Sequence, residues 1–158
     1  MANLSKRAPR LPFRWFVVFA WRVHRTLLRI SRGRLGLWRP RTGKWGAMRL
    51  TAIGRRSGQE RSVILAYVED GPNLVTLAMN GWDAAEPAWW LNLQAQPQAR
   101  VQLADGARDT IARAASGQER ERLWDQFRAL DENLDGYARR RSTETAVVVL
   151  EPRTTTSC

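Results

Sequence analysis

Hydrophobic and polar positions divide this chain into an N-terminal helical part and a longer part dominated by strands. Over Leu11–Ile30 the arginines fall along one helical stripe, and the aromatic and aliphatic residues face elsewhere. Gly33 and Gly36 end this helix, and the segment Leu37–Gly46, which contains proline and glycine, predicts an irregular linker. Residues 1–46 are therefore predicted to form a basic amphipathic helix and a linker that precede the main domain.

Short runs rich in aliphatic residues predict a three-stranded meander after the linker. These runs are Met48–Ile53, Arg61–Glu69 and Asn73–Met79, with a Gly-Pro turn at residues 69–72 before the third. The run Val63–Val68 is apolar at successive positions, which is typical of a strand covered by a barrel interior on one face and by a helix on the other. A closed or partly closed sheet is therefore expected.

The second half of the chain alternates helix and strand signals. The predicted elements are a helix over Ala88–Gln96, strands over Ala99–Ala104 and Arg108–Ala114, a helix from Ser116 to about Leu130 and a last apolar strand over Thr145–Leu150. Pro87 and Pro97 bound the first helix, and Asp105-Gly106 marks the hairpin turn. Ser116 and Glu119 predict a capping box. Together these elements predict one domain over residues 47–152, with a disordered tail at 153–158.

Charge is distributed unevenly along the 158 residues. The net charge is +11, but residues 1–61 carry +15 and residues 62–158 carry −4. A strongly basic end attracts anions, and these include a phosphorylated cofactor, an anionic lipid surface and nucleic acid. Charge alone does not choose among these partners.

Several common functions require residues that this sequence lacks. With His24 as its only histidine and Cys158 as its only cysteine, a zinc site built from these ligands cannot be assembled. A Ser-His-Asp hydrolase would need His24 as its base, but His24 falls on the basic helix and no nucleophile-elbow sequence occurs. No Walker or dinucleotide motif occurs either. The apolar run Phe13–Trp21 is shorter than the ~20 residues of a spanning helix, and arginines follow it where a signal peptide would be cleaved. A cytoplasmic location in a reducing compartment is therefore expected.

The segment Gly54–Arg61 between the first two strands is the most informative stretch. It combines two glycines, Ser57 and the three guanidiniums of Arg55, Arg56 and Arg61. Glycines let the backbone curl and expose its N–H groups, and a hydroxyl and guanidiniums suit a phosphate or a carboxylate. From spacing alone, an anion cradle and a charged hairpin loop that keeps the protein soluble both remain open.

Longer motifs carry a resemblance to a known family. They are LTAIGRRSGQ at 50–59, YVEDG at 67–71, PAWWLNL at 87–93 with Pro97, and VVVLEP at 147–152. In order and spacing they resemble the deazaflavin (coenzyme F420)-dependent nitroreductase and quinone reductase family, over roughly residues 47–152. The resemblance implies an α+β, mainly β fold, an FMN-binding-like split β-barrel with flanking helices, and an oxidoreductase that takes hydride from reduced F420.

The resemblance also implies individual roles. The phosphate and the oligoglutamate tail of the coenzyme would be bound by Arg55, Arg56, Ser57 and Arg61. The deazaflavin ring would lie against Val63, Ile64, Ala78, Met79, Asn80, Gly81 and Trp89. Tyr137 would orient or protonate the acceptor; an ordinary surface tyrosine is the alternative. For Trp89 and Trp90 the alternative is core packing, which is expected of one of the two.

Departures from the family pattern fall on the acceptor side. Ala66 and Leu134 replace aromatic residues, and Arg139–Arg141 lies in a region that is aromatic in the nitroreductases. A quinone-like or other activated apolar acceptor is therefore expected before a nitroaromatic one.

The N-terminal helix indicates where that acceptor is found. Aromatic residues and arginines over residues 11–33 suit the headgroup region of an anionic membrane, which predicts peripheral association and a membrane quinone. The alternative is a helix that covers the barrel. Two other functions stay open, an FMN-dependent split-barrel oxidoreductase and a non-catalytic protein that binds coenzyme or lipid. Nucleic-acid binding is not expected, because no recognisable module is present.

Overall fold

Six antiparallel strands close into a barrel in the computed structural model, which describes residues 36–81 and 83–154. The strands are β1 (Gly46–Ile53), β2 (Glu60–Asp70), β3 (Asn73–Leu77), β4 (Gln98–Leu103), β5 (Gly106–Ala114) and β6 (Val147–Pro152). Their order around the barrel is β1-β2-β3-β6-β5-β4, and β4 pairs with β1 to close it. The predicted fold class, mainly β with a split barrel, is confirmed.

Three helices complete the described part of the chain. They are α1 (Ala88–Ala95), α2 (Gly117–Leu130) and α3 (Leu134–Ala138). The first two were predicted within a residue or two, but α3 was not, because five residues are too few to show helical periodicity. No helix among the described residues is long and apolar enough to span a membrane.

The capping box predicted at the start of α2 is wrong. Ser116 is the N-cap residue, but its side chain makes no capping hydrogen bond. Both carboxylate oxygens of Glu119 accept from the guanidinium of Arg113 on β5, at 2.7 and 2.8 Å. A charge-assisted bidentate pair is stronger than a carboxylate–amide cap, so Glu119 ties α2 to the barrel wall instead.

Side-chain alternation along the strands builds two cores. On β6, Val148 and Leu150 belong to a cluster that includes residues of all six strands and of α1. Val147 and Val149 belong to a second cluster with residues of α2 and α3. Because successive strand residues point to opposite faces, one cluster fills the barrel and the other lies between its wall and these two helices. The predicted last strand is apolar throughout because both of its faces are buried, although it begins two residues later than expected.

The segment expected to be an irregular linker is a short hairpin. Isolated bridges pair Trp38 with Ala47 and Arg41 with Lys44. Trp38 Nε1 donates to the Trp45 carbonyl at 3.0 Å, and Leu37 is buried. The hairpin therefore extends β1 backwards. The N-terminal helix predicted over Leu11–Ile30 lies outside the described residues, and the division into residues 1–46, 47–152 and 153–158 stays a prediction.

Candidate functional site: a cationic loop joined to helix α1

The cationic loop, defined as residues 54–61, joins β1 to β2. It is a tight bend built around a glycine. Gly54 N–H donates to the Gln59 carbonyl at 2.8 Å, and Gly58 N–H donates to the Gly54 carbonyl at 2.8 Å. A Cβ atom on Gly54 would lie 2.8 Å from Ser57 Oγ and 3.2 Å from the Gln59 carbonyl oxygen. Gly58 has a φ of +66°, a conformation that glycine adopts without strain. These two glycines therefore fix the shape of the loop.

The expectation that this loop exposes its backbone N–H groups is wrong for most of them. The N–H groups of Gly54 and Gly58 are bonded within the loop, and Gln59 N–H donates to Ser57 Oγ at 3.3 Å. Arg55 N–H donates to the Asn92 side chain at 3.1 Å. The side chains are consequently the main donors that an anion would meet.

Three guanidiniums surround the loop. Arg55, Arg56 and Arg61 are exposed, and none of them forms an ion pair with a carboxylate within residues 36–81 and 83–154. One NH2 group of Arg61 lies 3.5 Å from Ser57 Oγ, at the limit of a hydrogen bond. Since Ser57 Oγ accepts from its neighbours, its own hydrogen stays available for a further acceptor. This donor set fits a phosphate or a chain of carboxylates, the groups that the F420 tail carries.

Asn92 is a site residue that the sequence reasoning missed. It lies on α1, is buried, and its Oδ1 accepts from both the backbone N–H and the guanidinium of Arg55, at 3.1 and 3.3 Å. A buried polar side chain needs partners, and here they lie 37 residues away in the chain. The lone asparagine between tryptophans and leucines in α1 was the available signal. Through Asn92, α1 and the cationic loop form one unit.

The residues predicted to lie at the ring fall on two neighbouring segments. Val63 and Ile64 are half-buried on β2. After β3, Ala78 is buried, Met79 is half-buried, and Asn80 and Gly81 are exposed. Gly81 has a φ of +59°. This connection to α1 therefore passes from the core to the surface over four residues.

The two tryptophans of α1 both pack in the barrel core. Trp89 and Trp90 are buried, with ring centroids 6.3 Å apart and ring planes tilted by 60°. Core packing was expected of one of them, and both have it. Trp89 remains a predicted ring contact, with 8 % of its surface exposed.

Tyr137 lies on α3, half-buried, with the Arg140 guanidinium 5.9 Å from its ring centroid. Helix α3 is held to α2 through Asp135, whose carboxylate accepts from Trp124 Nε1 at 2.8 Å and from Arg128 Nε at 2.9 Å. These two hydrogen bonds hold the pKa of Asp135 below its ordinary value, and the bond from Trp124 has the larger effect. The position of Tyr137 thus depends on an ionised Asp135.

Acid should loosen α3 before it unfolds the barrel. Because the folded-state pKa of Asp135 is lowered, its stabilisation is present above the ordinary carboxyl pKa of ~3.9 and is lost as pH falls through and below that value. We expect Asp135→Asn to be less stable than the parent near neutral pH, and the two to converge below about pH 4. Urea unfolding at a series of pH values measures this. A stability difference that does not change with pH would contradict it.

Cavities occur among the described residues away from the predicted coenzyme residues. One, of about 160 Å³, is lined by residues of β1, β4 and β5 that include Arg100 and Asp109. Another, of about 260 Å³, is lined by the 38–45 hairpin and by Leu130.

The closed six-stranded barrel, with helices packed on its wall and a cationic loop at one hairpin, defines a split β-barrel of the FMN-binding-like class. A family model described as F420H(2)-dependent quinone reductase matches residues 20–152. The chain therefore belongs to the F420H(2)-dependent quinone reductase family.

Individual relatives agree with this membership. The chain is 28% identical over 135 residues to an F420H(2)-dependent quinone reductase of Mycobacterium tuberculosis strain H37Rv, covering 84% of this chain and 89% of the relative. A solved F420-H2 dependent reductase matches with a TM-score of 0.60 and 29% identity, over 66% of this chain and 93% of that one. A structure described as a domain-swapped dimer matches with a TM-score of 0.65 and 27% identity, over 85% and 99%.

The resemblance drawn from the motifs is confirmed, and with it the enzyme class, an oxidoreductase family that depends on coenzyme F420. The predicted cofactor is that of the family. The assignment of individual residues to the coenzyme or to the acceptor stays a prediction.

Proposed function

We propose that this protein transfers hydride from reduced F420 to a quinone-like, activated apolar acceptor. The observation that carries the proposal is the cationic loop, which carries three exposed guanidiniums without carboxylate partners among the described residues, one of them 3.5 Å from the Ser57 hydroxyl. Guanidiniums bind phosphate and carboxylate groups bidentately, and a tail with several such groups engages all three. When bound, the coenzyme supplies the hydride, and the protein binds, orients and shields it.

Each element has a share in this task. Arg55, Arg56, Ser57 and Arg61 bind the anionic tail, and Asn92 holds Arg55 against α1. The half-buried Val63 and Ile64, the segment Ala78–Gly81 and Trp89 border the ring. Since the loop and α1 are joined by the Asn92 hydrogen bonds, tail binding fixes the ring relative to the barrel.

The acceptor side is assigned to α3. Tyr137 is a hydroxyl donor on a short helix packed by Leu134 against the second core, and Arg140 lies over its ring. Two of the residues that depart from the nitroreductase pattern, Leu134 and Arg141, are buried. Among these departures, exposed charge is added only by Arg139 and Arg140. This favours a quinone-like acceptor, with nitroaromatic compounds as weaker ones.

A titration followed by an acceptor screen tests this function. The purified protein is titrated with F420 and, separately, with FMN, following the fluorescence of each. The reduced F420 complex is then mixed with menaquinone analogues and with a nitroimidazole, and F420H2 oxidation is recorded. Tight binding of F420 over FMN with faster quinone reduction is expected. Binding without turnover would support a non-catalytic carrier instead, and preference for FMN would overturn the coenzyme assignment.

Replacement of Tyr137 separates its role from coenzyme binding. We expect Tyr137→Phe to lower kcat for quinone reduction by about a hundredfold or more, as loss of a positioned acid does, and to leave the F420 Kd within about twofold. Steady-state kinetics and the fluorescence titration measure the two quantities. An unchanged kcat would remove Tyr137 from the mechanism.

Association with an anionic membrane is part of the proposal. It rests on the basic amphipathic pattern of residues 11–33 and on the hairpin that follows it, where Trp38 is 48% and Trp45 is 40% exposed beside Lys44. Exposed tryptophan next to basic residues is typical of the membrane interface. Such association would bring the protein to a membrane quinone, the acceptor proposed for it.

Vesicle binding tests this association. Removal of residues 1–33 is expected to weaken binding to phosphatidylglycerol vesicles by about tenfold or more, since each basic residue near an anionic surface contributes about 1 kcal/mol. Co-sedimentation at low and high salt measures binding, with phosphatidylcholine vesicles as the control. Undiminished binding of the shortened chain would exclude this segment as the anchor.

A further inference from the structure

Arg141 is a buried arginine beside the connection that leads from β3 to α1. Its side chain is 0% exposed, whereas every other arginine in a described ion pair keeps 23% or more of its side chain exposed. It follows α3 directly, and its position in an arginine triplet gave no sign of burial. A guanidinium is taken out of water only where enough acceptors replace its hydration.

The hydrogen-bond acceptors around the Arg141 guanidinium come from residues that are far apart in sequence. Arg141 Nε donates to the Asp83 carbonyl at 2.9 Å, and Nη1 donates to the Ala78 carbonyl at 3.0 Å and to Thr145 Oγ1 at 2.8 Å. Nη2 donates to Glu86 Oε1 at 3.2 Å. The connection from β3 to α1 is defined as residues 78–81 and 83–86. The guanidinium of Arg141 thus binds both ends of this connection and also Thr145, which lies just before β6.

The ion pair of Arg141 with Glu86 is buried on the arginine side, whereas the Glu86 side chain keeps 28% of its surface exposed. Glu86 Oε2 is buried and has no hydrogen-bond partner among the described residues, so the ion pair is incompletely satisfied. Buried ion pairs are often no better for stability than apolar packing, while removal of one partner is strongly unfavourable. A role in placing the backbone accounts for this pair better than a gain in stability does.

We propose that Arg141 is a positioning residue for the coenzyme site: it sets the backbone of residues 78–81, with Glu86 as its counter-ion, in the geometry that receives the ring. This rests on the proposed function, because Ala78, Met79, Asn80 and Gly81 are its predicted ring contacts. Besides Arg141, Ala78 N–H donates to the Ala146 carbonyl at 2.9 Å and Thr143 Oγ1 donates to the Ala84 carbonyl at 3.4 Å, but each of these bonds holds a single point of the connection, whereas Arg141 binds it at three. Arg141 also links α3, which carries Tyr137, to the same segment.

The test compares Arg141→Met and Arg141→Lys with the full-length parent. Methionine removes the charge, and lysine keeps it but cannot span carbonyls on both ends of the connection. Both are expected to raise the F420 Kd about tenfold or more and to speed amide exchange of residues 78–81 and 83–86 by a similar factor, while β4 and β5 keep their protection. Glu86→Gln, which removes the negative charge but keeps one oxygen that can accept from Nη2 of Arg141, is the milder variant and is expected to act in the same direction by a few-fold.

Arg122→Met is the matched control. Arg122 also forms a two-point pair with a carboxylate, Asp70, at 2.8 and 2.9 Å, but its side chain is 54% exposed and lies on α2. It is expected to leave the Kd and the exchange of the connection unchanged. Parental affinity in Arg141→Lys and Glu86→Gln, or exchange that rises evenly over the barrel, overturns the positioning role. If the parent itself does not bind F420, the proposed function fails. If the parent binds F420 and the variants bind it equally well, only the positioning role fails.

Discussion

Replacement of Arg55 and Arg56 together by glutamine is expected to weaken F420 binding by about a hundredfold, since each charged hydrogen-bond partner contributes roughly 1.5 kcal/mol or more. Both side chains are exposed at the bend, and Arg55 alone is anchored from two atoms to Asn92. Glutamine is shorter than arginine and keeps only a neutral hydrogen-bonding group, so the loss reports on the charge and the reach of the guanidinium together. The backbone of the bend is closed by its glycines and should persist.

Salt dependence distinguishes direct contacts from a diffuse field. The parental F420 Kd is expected to rise with ionic strength, and the double variant should show a shallower dependence because fewer charges are engaged. Fluorescence titrations at several salt concentrations measure both. The fold of the variant is checked by its thermal unfolding midpoint.

A matched pair of arginines controls for net charge. The double variant Arg100→Gln with Arg122→Gln also removes two positive charges. These come from exposed side chains that already have carboxylate partners, Asp109 and Asp70. This control is expected to alter the Kd by less than about threefold, because those charges are already compensated. An equal loss of affinity in both double variants would mean that the protein attracts the coenzyme by overall charge, and the cationic loop would lose its assigned role.

Gly46→Ala is expected to lower the stability of the whole barrel by about 3 kcal/mol, at the upper end of the usual cost of overpacking. A Cβ there would lie 2.6 Å from Tyr67 Cε1, 2.7 Å from Pro40 Cδ and 2.8 Å from the Pro40 backbone nitrogen. The ring of Tyr67 is fully buried and cannot swing away, and a backbone atom of the 38–45 hairpin is in the path. The hairpin and β1 would have to separate.

Tyr67 itself shows how closed this region is. Its hydroxyl is buried without a hydrogen-bond partner among the described residues, and burial, followed by the nearby Glu69 carboxylate, raises its pKa to about 12. The hydroxyl therefore stays neutral over the working pH range. A side chain held in such a pocket leaves no room for an added methyl group at Gly46.

Urea unfolding and the thermal midpoint measure the loss, which corresponds to roughly 10 °C for a domain of this size. Gly136→Ala is the control: a Cβ at Gly136, in α3, meets nothing within 4 Å, so alanine is expected to be neutral or to stabilise by up to about 1 kcal/mol. Equal stability of Gly46→Ala and the parent would show that the hairpin moves freely relative to β1.

Local signals in the sequence were sufficient for most strands, because hydrophobic runs and glycine or proline turns are set by neighbours in the chain. The turn at Gly71 and the hairpin at Gly106 fall where they were predicted. The cationic loop was also located from its residues. Its hydrogen bonding was not, because the N–H groups of Gly54 and Gly58 bond within the loop and Arg55 N–H donates to a residue of α1.

Local motifs and hydrophobic runs were enough to predict the family, the mainly β class and the candidate anion-binding loop, since each depends on residues close together in the chain. Which polar residues are buried together depends on the folded arrangement of distant segments. Asn92 accepts from Arg55 across 37 positions, and Glu119 pairs with Arg113 instead of capping its helix. Arg141 is part of an arginine triplet that the sequence alone would place at the surface, but it donates to carbonyls 58 and 63 positions away. Such partners are brought together by barrel closure and helix packing, and no local pattern encodes a contact whose two sides meet only after the chain has folded.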